Sequence, residues 1–285
     1  MKTTEIKILQ KISNLSRIYA LISIFFAGSG HPGGSLSSMD IITYLFKNKL
    51  KLKNIKDFKI KHRNRFILSK GHAVPALYSV LAALNLLNFK DIINLRKINS
   101  KFQGHPCRIK TPWVESSSGS LGQGFSFAIG QAIALKHLKI NKKIFALIGD
   151  GEMQEGQVWE GIMLSAQLKL KNLITILDYN KLQSDDFNKN IINLEPIEKK
   201  IISFNWNVIK INGHSFSEID YAMNKKFKNQ KPTFIIANTI KGKGISYMEN
   251  KPLWHGSVKI NKDQIRLALE ELKADNKFKK ICNIV

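Results

Sequence analysis

The sequence predicts an α/β fold in which a parallel sheet carries helices on both faces. Two observations predict it. Four runs are almost continuously apolar, at residues 143–149 (KIFALIG), 172–180 (NLITILDYN), 206–213 (WNVIKING) and 232–240 (PTFIIANTI). Strands covered on both faces read this way, whereas half-solvated strands alternate. Helical patterns separate the runs, at about 155–168 and 216–227, and a helical crossover makes the strands it joins parallel. At 285 residues with 44% hydrophobic and 23% charged side chains, the chain has ordinary globular composition and enough length for a full core.

Helical periodicity runs over residues 4–26 and again over 38–46. Pro75 stands at a helix start, with apolar residues continuing to Leu87. The Ser/Gly-rich stretch ESSSGSLGQG (115–124) opens a helix reaching about Leu138. A last helical stretch, NKDQIRLALEELKADNKF (261–278), is followed by a short tail. No internal repeat or low-complexity linker interrupts this order.

Lys2, Lys7, Lys11 and Arg17 precede IYALISIFFAGSG, a pattern shared by secretory leaders. An amphipathic helix ending at Gly28 is the favoured reading, because the residues after it carry chemistry. No apolar span of 18 residues exists, so no transmembrane helix is expected. Lys and Arg total 45 against 21 Asp and Glu, which raises the question of nucleic acid. Only six of the 45 are Arg, the residue that bidentate base recognition favours. The lysine excess therefore reads as compositional bias, and no nucleic-acid or membrane partner is expected. Cys107 and Cys282 lack metal-ligand or CxxC spacing, which suits a reducing, cytoplasmic compartment.

Residues 149–160 read GDGEMQEGQVWE and begin where a predicted strand ends. Asp150 follows that strand, and Asn180 follows the next, thirty residues on. On neighbouring strands both side chains project from one sheet edge, where ligands of such sheets bind. A carboxylate, an amide oxygen and backbone carbonyls suit Mg²⁺ or Ca²⁺ rather than zinc. Gly151 lets a phosphate approach the backbone, and the next helix offers its N-terminal end. A strand-end turn with two capping residues is the plain alternative. Among the seven histidines, His31, His72, His105 and His255 lie beside Gly or Pro in loop contexts, while His62, His137 and His214 read as surface or structural.

The pair GDG…DYN resembles the metal–diphosphate motif of thiamine diphosphate enzymes. GDGEMQEGQVWEG with LDYNKLQSD is similar specifically to transketolases. SGHPGGSLS (29–37), SKGHAVPALY (69–78), GHP (104–106), GSLGQG (119–124) and KGKG…WHG (241–256) follow the same family in the same order. The resemblance implies a diphosphate-binding domain over residues 1–260, with 261–285 as a C-terminal helix and tail. It implies metal ligation by Asp150, Asn180 and the Leu182 carbonyl, and diphosphate binding by Gly151. Gly119, Ser120 and Leu121 would line thiamine diphosphate, and Lys241 would lie near its phosphates. His31 and His255 would lie near substrate oxygens, His72 near the cofactor and His105 against donor hydroxyls, with His255 also touching the cofactor. Histidine suits hydroxyl proton transfer near neutral pH. Glu155 and Glu160 would join a polar network between paired subunits, and Glu152 is read as exposed.

The implied reaction moves a two-carbon ketol unit from a ketose phosphate to an aldose phosphate, a step of the pentose phosphate pathway. Two departures stand out. Asp186 replaces a usual Gly, and the chain lacks the pyrimidine-binding domain of full transketolases. The expectation is therefore a diphosphate-binding subunit, active only with a separate C-terminal subunit, in a heterotetramer with two copies of each chain. A deoxyxylulose-phosphate-synthase-like half is the enzyme alternative, and QEGQVWE argues against it. A basic nucleic-acid-binding remnant is the non-enzyme alternative, opposed by the retained ligands and histidines.

Overall fold

The computed structural model describes residues 1–284. Strands β1 (Arg65–Leu68), β2 (Ile144–Gly149), β3 (Leu173–Tyr179), β4 (Asn207–Asn212) and β5 (Thr233–Asn238) form one sheet in the order β1-β2-β3-β5-β4. Every pairing is parallel. Four strands match the predicted runs. β1 was not anticipated, because RFIL is only four residues long and sits among Lys, His and Arg.

Side-chain alternation along the strands divides the interior in two. Phe145, Leu147, Ile174, Ile176, Ile235 and Ala237 enter the larger core. Their neighbours Ile144, Ala146, Ile148, Leu173, Phe234 and Ile236 enter the smaller one. Both faces of each central strand are thus buried, which explains the unbroken apolar runs.

The larger core is closed by α1 (Thr3–Ala27), α2 (Pro32–Tyr44) and α3 (Val74–Ala83), with the short α4 (Phe89–Ile92) beside them. The smaller core is closed by α5 (Gln123–His137) and α6 (Gly156–Gln167), and by α8 (Ile197–Ser203), which follows the single turn of α7 (Asn188–Ile191). α9 (Phe216–Asn224), α10 (Lys262–Glu271) and α11 (Asn276–Ile281) pack back on the larger core through Ile219, Ile265, Leu269 and Phe278. The segment from 261 onward thus shares a core with α1 and breaks into two helices rather than one.

α1 is a continuous helix ended by Gly28, whose φ of 66° and N–H to the Phe25 carbonyl make a left-handed cap. Among the described residues no helix is long and apolar enough to cross a membrane. α2 starts at Pro32, six residues before the predicted helix. Its Gly-Gly-Ser opening is a poor helix former, but all thirteen of its residues are buried, and packing overrides propensity.

Candidate active site

The C-terminal ends of β1, β2, β3 and β5 converge on one cavity of about 80 Å³ lined by Lys70, His72, Leu121, Asp150, Gly151, Asn180, Leu182, Gln183, Lys241 and His255, among others. β2 and β3 are neighbours in register, with Gly149 opposite Asp178. Asp150 and Asn180 therefore leave the same sheet edge side by side, and both are buried. The Asp150 carboxylate accepts from the Gly151 and Lys181 amides. Asn180 Oδ1 accepts from the Leu182 amide at 3.1 Å. The Leu182 carbonyl accepts from Lys241 Nζ at 3.0 Å.

Beneath this edge lies a pair that sequence reading missed. Lys70 donates to Asp178, and Ser37, Ser38 and Thr239 donate to the same carboxylate. Asp178 is fully buried and Lys70 is 1% exposed. Burial alone would raise the Asp178 carboxyl, but Lys70 and the hydroxyl donors hold it below the ordinary range. Burial and the Asp178 charge push Asp150 up to about 6. Burial pulls Lys241 down to about 8, against the attraction of Asp150.

The four loop histidines come together. His31 is central, its ring centroid 5.5 Å from His72, 5.8 Å from His105 and 5.9 Å from His255. His72 and His255 are 5.2 Å apart. Two glycines permit this crowding. A Cβ on Gly256 would stand 2.2 Å from the His31 ring, and one on Gly34 would stand 2.9 Å from His72 Nε2. Arg96 Nη2 lies 3.0 Å from His31 Nδ1, and Lys241 Nζ lies 2.7 Å from His255 Nδ1. Arginine has no acceptor, so it donates to His31. A protonated Lys241 likewise donates to His255. Each neutral ring then carries its proton on Nε2. Burial, with Arg96 and its neighbours, lowers His31 to about 4. Burial and Lys241 lower His255 to about 3. Burial, then Lys70, lowers His72 well below its ordinary value, and burial, then Arg96, lowers His105.

Gly119, with φ of 152°, lies against the His105 ring, Ser120 is exposed, and Leu121 reaches the cavity wall. Glu155 and Glu160 are exposed, and among the described residues their carboxylates have no hydrogen bond or ion pair. His62 and His137 are exposed. His214 is tied into the interior, with Nδ1 2.8 Å from Asp40 and Nε2 accepting from the Ile240 amide. Glu152 is not exposed as expected. It is 2% exposed, because backbone amides and a serine from three segments turn inward to solvate its carboxylate. Asp186, in place of a usual Gly, caps its own turn by accepting from the Phe187 amide, and it does not adopt positive φ.

The donor set fits a divalent cation held with an anion. Oxygen atoms of Asp150, Asn180 and Leu182 and the ammonium groups of Lys70 and Lys241 border the same cavity, and the Lys241 ammonium rests on the Leu182 carbonyl that a cation would otherwise take. Gln183 also lines the cavity, and among the described residues its Nε2 is a buried donor without a partner. Among the described residues no group of three His, Cys, Asp or Glu side chains is arranged to hold a metal, so a cation at this edge would need the Asn180 amide oxygen and the Leu182 carbonyl beside the Asp150 carboxylate.

Residues 8–282 match the family described as "Transketolase, thiamine diphosphate binding domain". The chain is 38% identical to one of the named subunits of the apulose-4-phosphate transketolase of Actinobacillus succinogenes, over 93% of this chain and 95% of that protein. It is 37% identical to the 6-deoxy-6-sulfo-D-fructose transketolase subunit SqwG of a Clostridium species, over 94% and 97%. It is 36% identical to the transketolase of Homo sapiens, over 97% of this chain and 44% of that protein, so it spans less than half the length of that relative. The solved transketolase of Campylobacter jejuni superposes with a TM-score of 0.88 at 32% identity, covering 99% of this chain and 46% of that one. The Leishmania mexicana transketolase superposes with a TM-score of 0.86 at 26% identity, covering 97% and 44%. The chain belongs to the transketolase thiamine diphosphate-binding domain family.

Proposed function

We propose that this chain is the diphosphate-binding subunit of a two-subunit transketolase. It would act with thiamine diphosphate and Mg²⁺, with Ca²⁺ as a possible substitute, and transfer a two-carbon ketol unit from a ketose phosphate to an aldose phosphate. The observation that carries this reading is the placement of Asp150 and Asn180 on adjacent strand ends beneath four clustered histidines. Asp150, Asn180 and the Leu182 carbonyl would hold the cation, and Gly151 and Lys241 the diphosphate. Gly119, Ser120, Leu121, His72 and His255 would border the rest of the cofactor. Bound thiamine diphosphate supplies the electron sink for cleaving the bond beside a ketose carbonyl.

The chain's own residues supply orientation and protons. With Nδ1 engaged by Arg96 or Lys241, His31 and His255 would carry Nε2–H as a hydrogen-bond donor for sugar oxygens. Their lowered pKa values keep both rings neutral near pH 7, so they add no positive charge to a cavity already holding two lysines. His105 extends the row toward donor hydroxyls.

Relatives of this chain's own length are named as subunits, which supports a separate partner carrying the pyrimidine-binding part. Two copies of each chain would place exposed Glu155 and Glu160 against a symmetry-related copy. The test is calorimetric titration of thiamine diphosphate with Mg²⁺, followed by ketol transfer with and without a candidate partner. Asp150→Ala should abolish Mg²⁺-dependent cofactor binding while the fold persists. Unchanged cofactor affinity in that variant would refute the metal assignment, and robust turnover by the chain alone would refute the subunit reading.

A further inference from the structure

Glu152 is a fully buried carboxylate at the cavity wall that the proposed chemistry leaves without a role. Its Oε1 accepts from Ser69 Oγ at 2.5 Å and from the Gly122 amide at 2.8 Å. Its Oε2 accepts from the Gly149 amide at 3.0 Å. The three donors come from the end of β1, from the loop entering α5 and from the last residue of β2. Those segments are distant in sequence, and all three border the cavity that also holds Asp150 and Gly151.

We infer that Glu152 is a positioning residue that fixes the Gly119–Gly122 loop against the Gly149–Gly151 turn. Two walls of the site then keep a set separation. A carboxylate suits this task because it offers two acceptor oxygens and no donor. An amide in its place turns an NH₂ group toward an N–H or an O–H. Among the described residues the loop has one other hydrogen bond to the far side, from Gln157 Nε2 to the Leu121 carbonyl at 3.0 Å, and that bond is only partly buried. Gly122 has φ of 83°, so the loop bends sharply where Glu152 grips it. The clasp explains why the carboxylate that directly follows GDG does not project to solvent.

The consequence for affinity rests on the thiamine diphosphate reading; the geometry does not. The test uses the full chain and two variants, Glu152→Gln and Ser69→Ala. Hydrogen exchange of the Gly122 and Gly149 amides is read without cofactor, thermal midpoints are recorded, and thiamine diphosphate with Mg²⁺ is titrated by calorimetry. Hydrogen bonds to a charged group are worth enough that Glu152→Gln should speed exchange at both amides about 10- to 100-fold. Amides in β3 and β5 should keep their protection. The cofactor dissociation constant should rise by about the same factor. Ser69→Ala keeps both amide bonds and should give a smaller change confined to the same loop.

Unchanged protection at Gly122 and Gly149 in Glu152→Gln would overturn the inference. Acceleration spread evenly over the sheet would also overturn it, because that is loss of stability and not of position. If the unaltered chain binds no thiamine diphosphate, the cofactor reading fails and the exchange pattern alone decides the clasp. If Glu152→Gln does not fold, Ser69→Ala decides: faster exchange at Gly122 alone supports the clasp, and no change overturns it.

Discussion

Two polar clusters lie side by side at the strand ends, one buried and one half-buried, and they are built in opposite ways. Around Asp178 every demand is met. Lys70 supplies the countercharge, and Ser37, Ser38 and Thr239 supply donors. Around His31 nothing is balanced. Four imidazoles, Arg96 and Lys241 gather with no carboxylate hydrogen-bonded to any of the four rings among the described residues. A closed cluster stabilises one conformation. An open cluster of donors without a counter-anion is costly until a ligand completes it, which is why perturbed groups mark functional sites.

This contrast fails outright if the open cluster can be dismantled without chemical loss. Changing His31, His105 or His255 singly to Ala should slow ketol transfer about 10²- to 10³-fold in the presence of the partner, the range for losing a preorganised hydrogen-bond donor at a reacting oxygen. Cofactor affinity should change far less. Steady-state rates and calorimetry on the same preparations separate the two, and full turnover removes that residue from the mechanism.

The closed cluster should respond in stability instead of rate. Lys70→Met leaves Asp178 buried without its countercharge, and breaking a buried pair from one side costs about 3–5 kcal/mol. Three hydroxyl donors remain on Asp178, so the low end of that range is expected. Urea denaturation measures it, and a loss below about 1 kcal/mol, the scale of an exposed pair, would show that the pair is not the structural centre.

How much of this contrast could be read in the sequence depends on where the signal resides. Asp150 and Asn180 were legible because each ends an apolar run, and the run fixes which sheet edge they share. The four histidines were legible through their Gly and Pro neighbours. Asp178 was not, because it sits inside the apolar run ILDY as one polar letter, and its partners Ser37, Lys70 and Thr239 come from α2, the β1 end and the β5 end. Glu152 failed for the same reason: a carboxylate after a turn reads as solvated, and two of its three donors, Ser69 and Gly122, are remote in sequence. β1 was hidden by its shortness, and the start of α2 by Gly-Gly-Ser, whose poor propensity only tertiary burial overcomes.

Acid should distinguish the clusters more gently. His31 falls from 6.5 to about 4 in the folded chain, and His255 to about 3. Between those values and 6.5 the unfolded chain binds more protons than the native one. Stability is therefore fully present above pH 6.5 and is lost as pH falls toward 4 and 3. His72 and His105 shift in the same direction and add to the slope. Asp150, pushed up to about 6, and Glu152, raised by burial, work in the opposite sense, but as two groups against four. Thermal midpoints of the cofactor-free chain should drop between pH 7 and 5, and His31→Gln with His255→Gln should flatten the drop. An unchanged slope in that double variant would assign acid sensitivity elsewhere.

The smallest expected effect comes from outside both clusters. His62 and His137 are exposed, with no hydrogen bond to either ring among the described residues. Neither ring loses water on folding to the degree that the clustered rings do. His62→Gln and His137→Gln should each change stability by no more than about 0.5 kcal/mol, as surface substitutions away from special features do. Both should leave the pH profile of the thermal midpoint superimposable on that of the unaltered chain. Combined in one chain, the two substitutions remove as many histidines as the His31 and His255 pair, so the double variant isolates location from number. If they flattened the acid profile as much as the clustered pair, the profile would report net charge on a lysine-rich chain, and the distinction between open and closed clusters would lose its thermodynamic support.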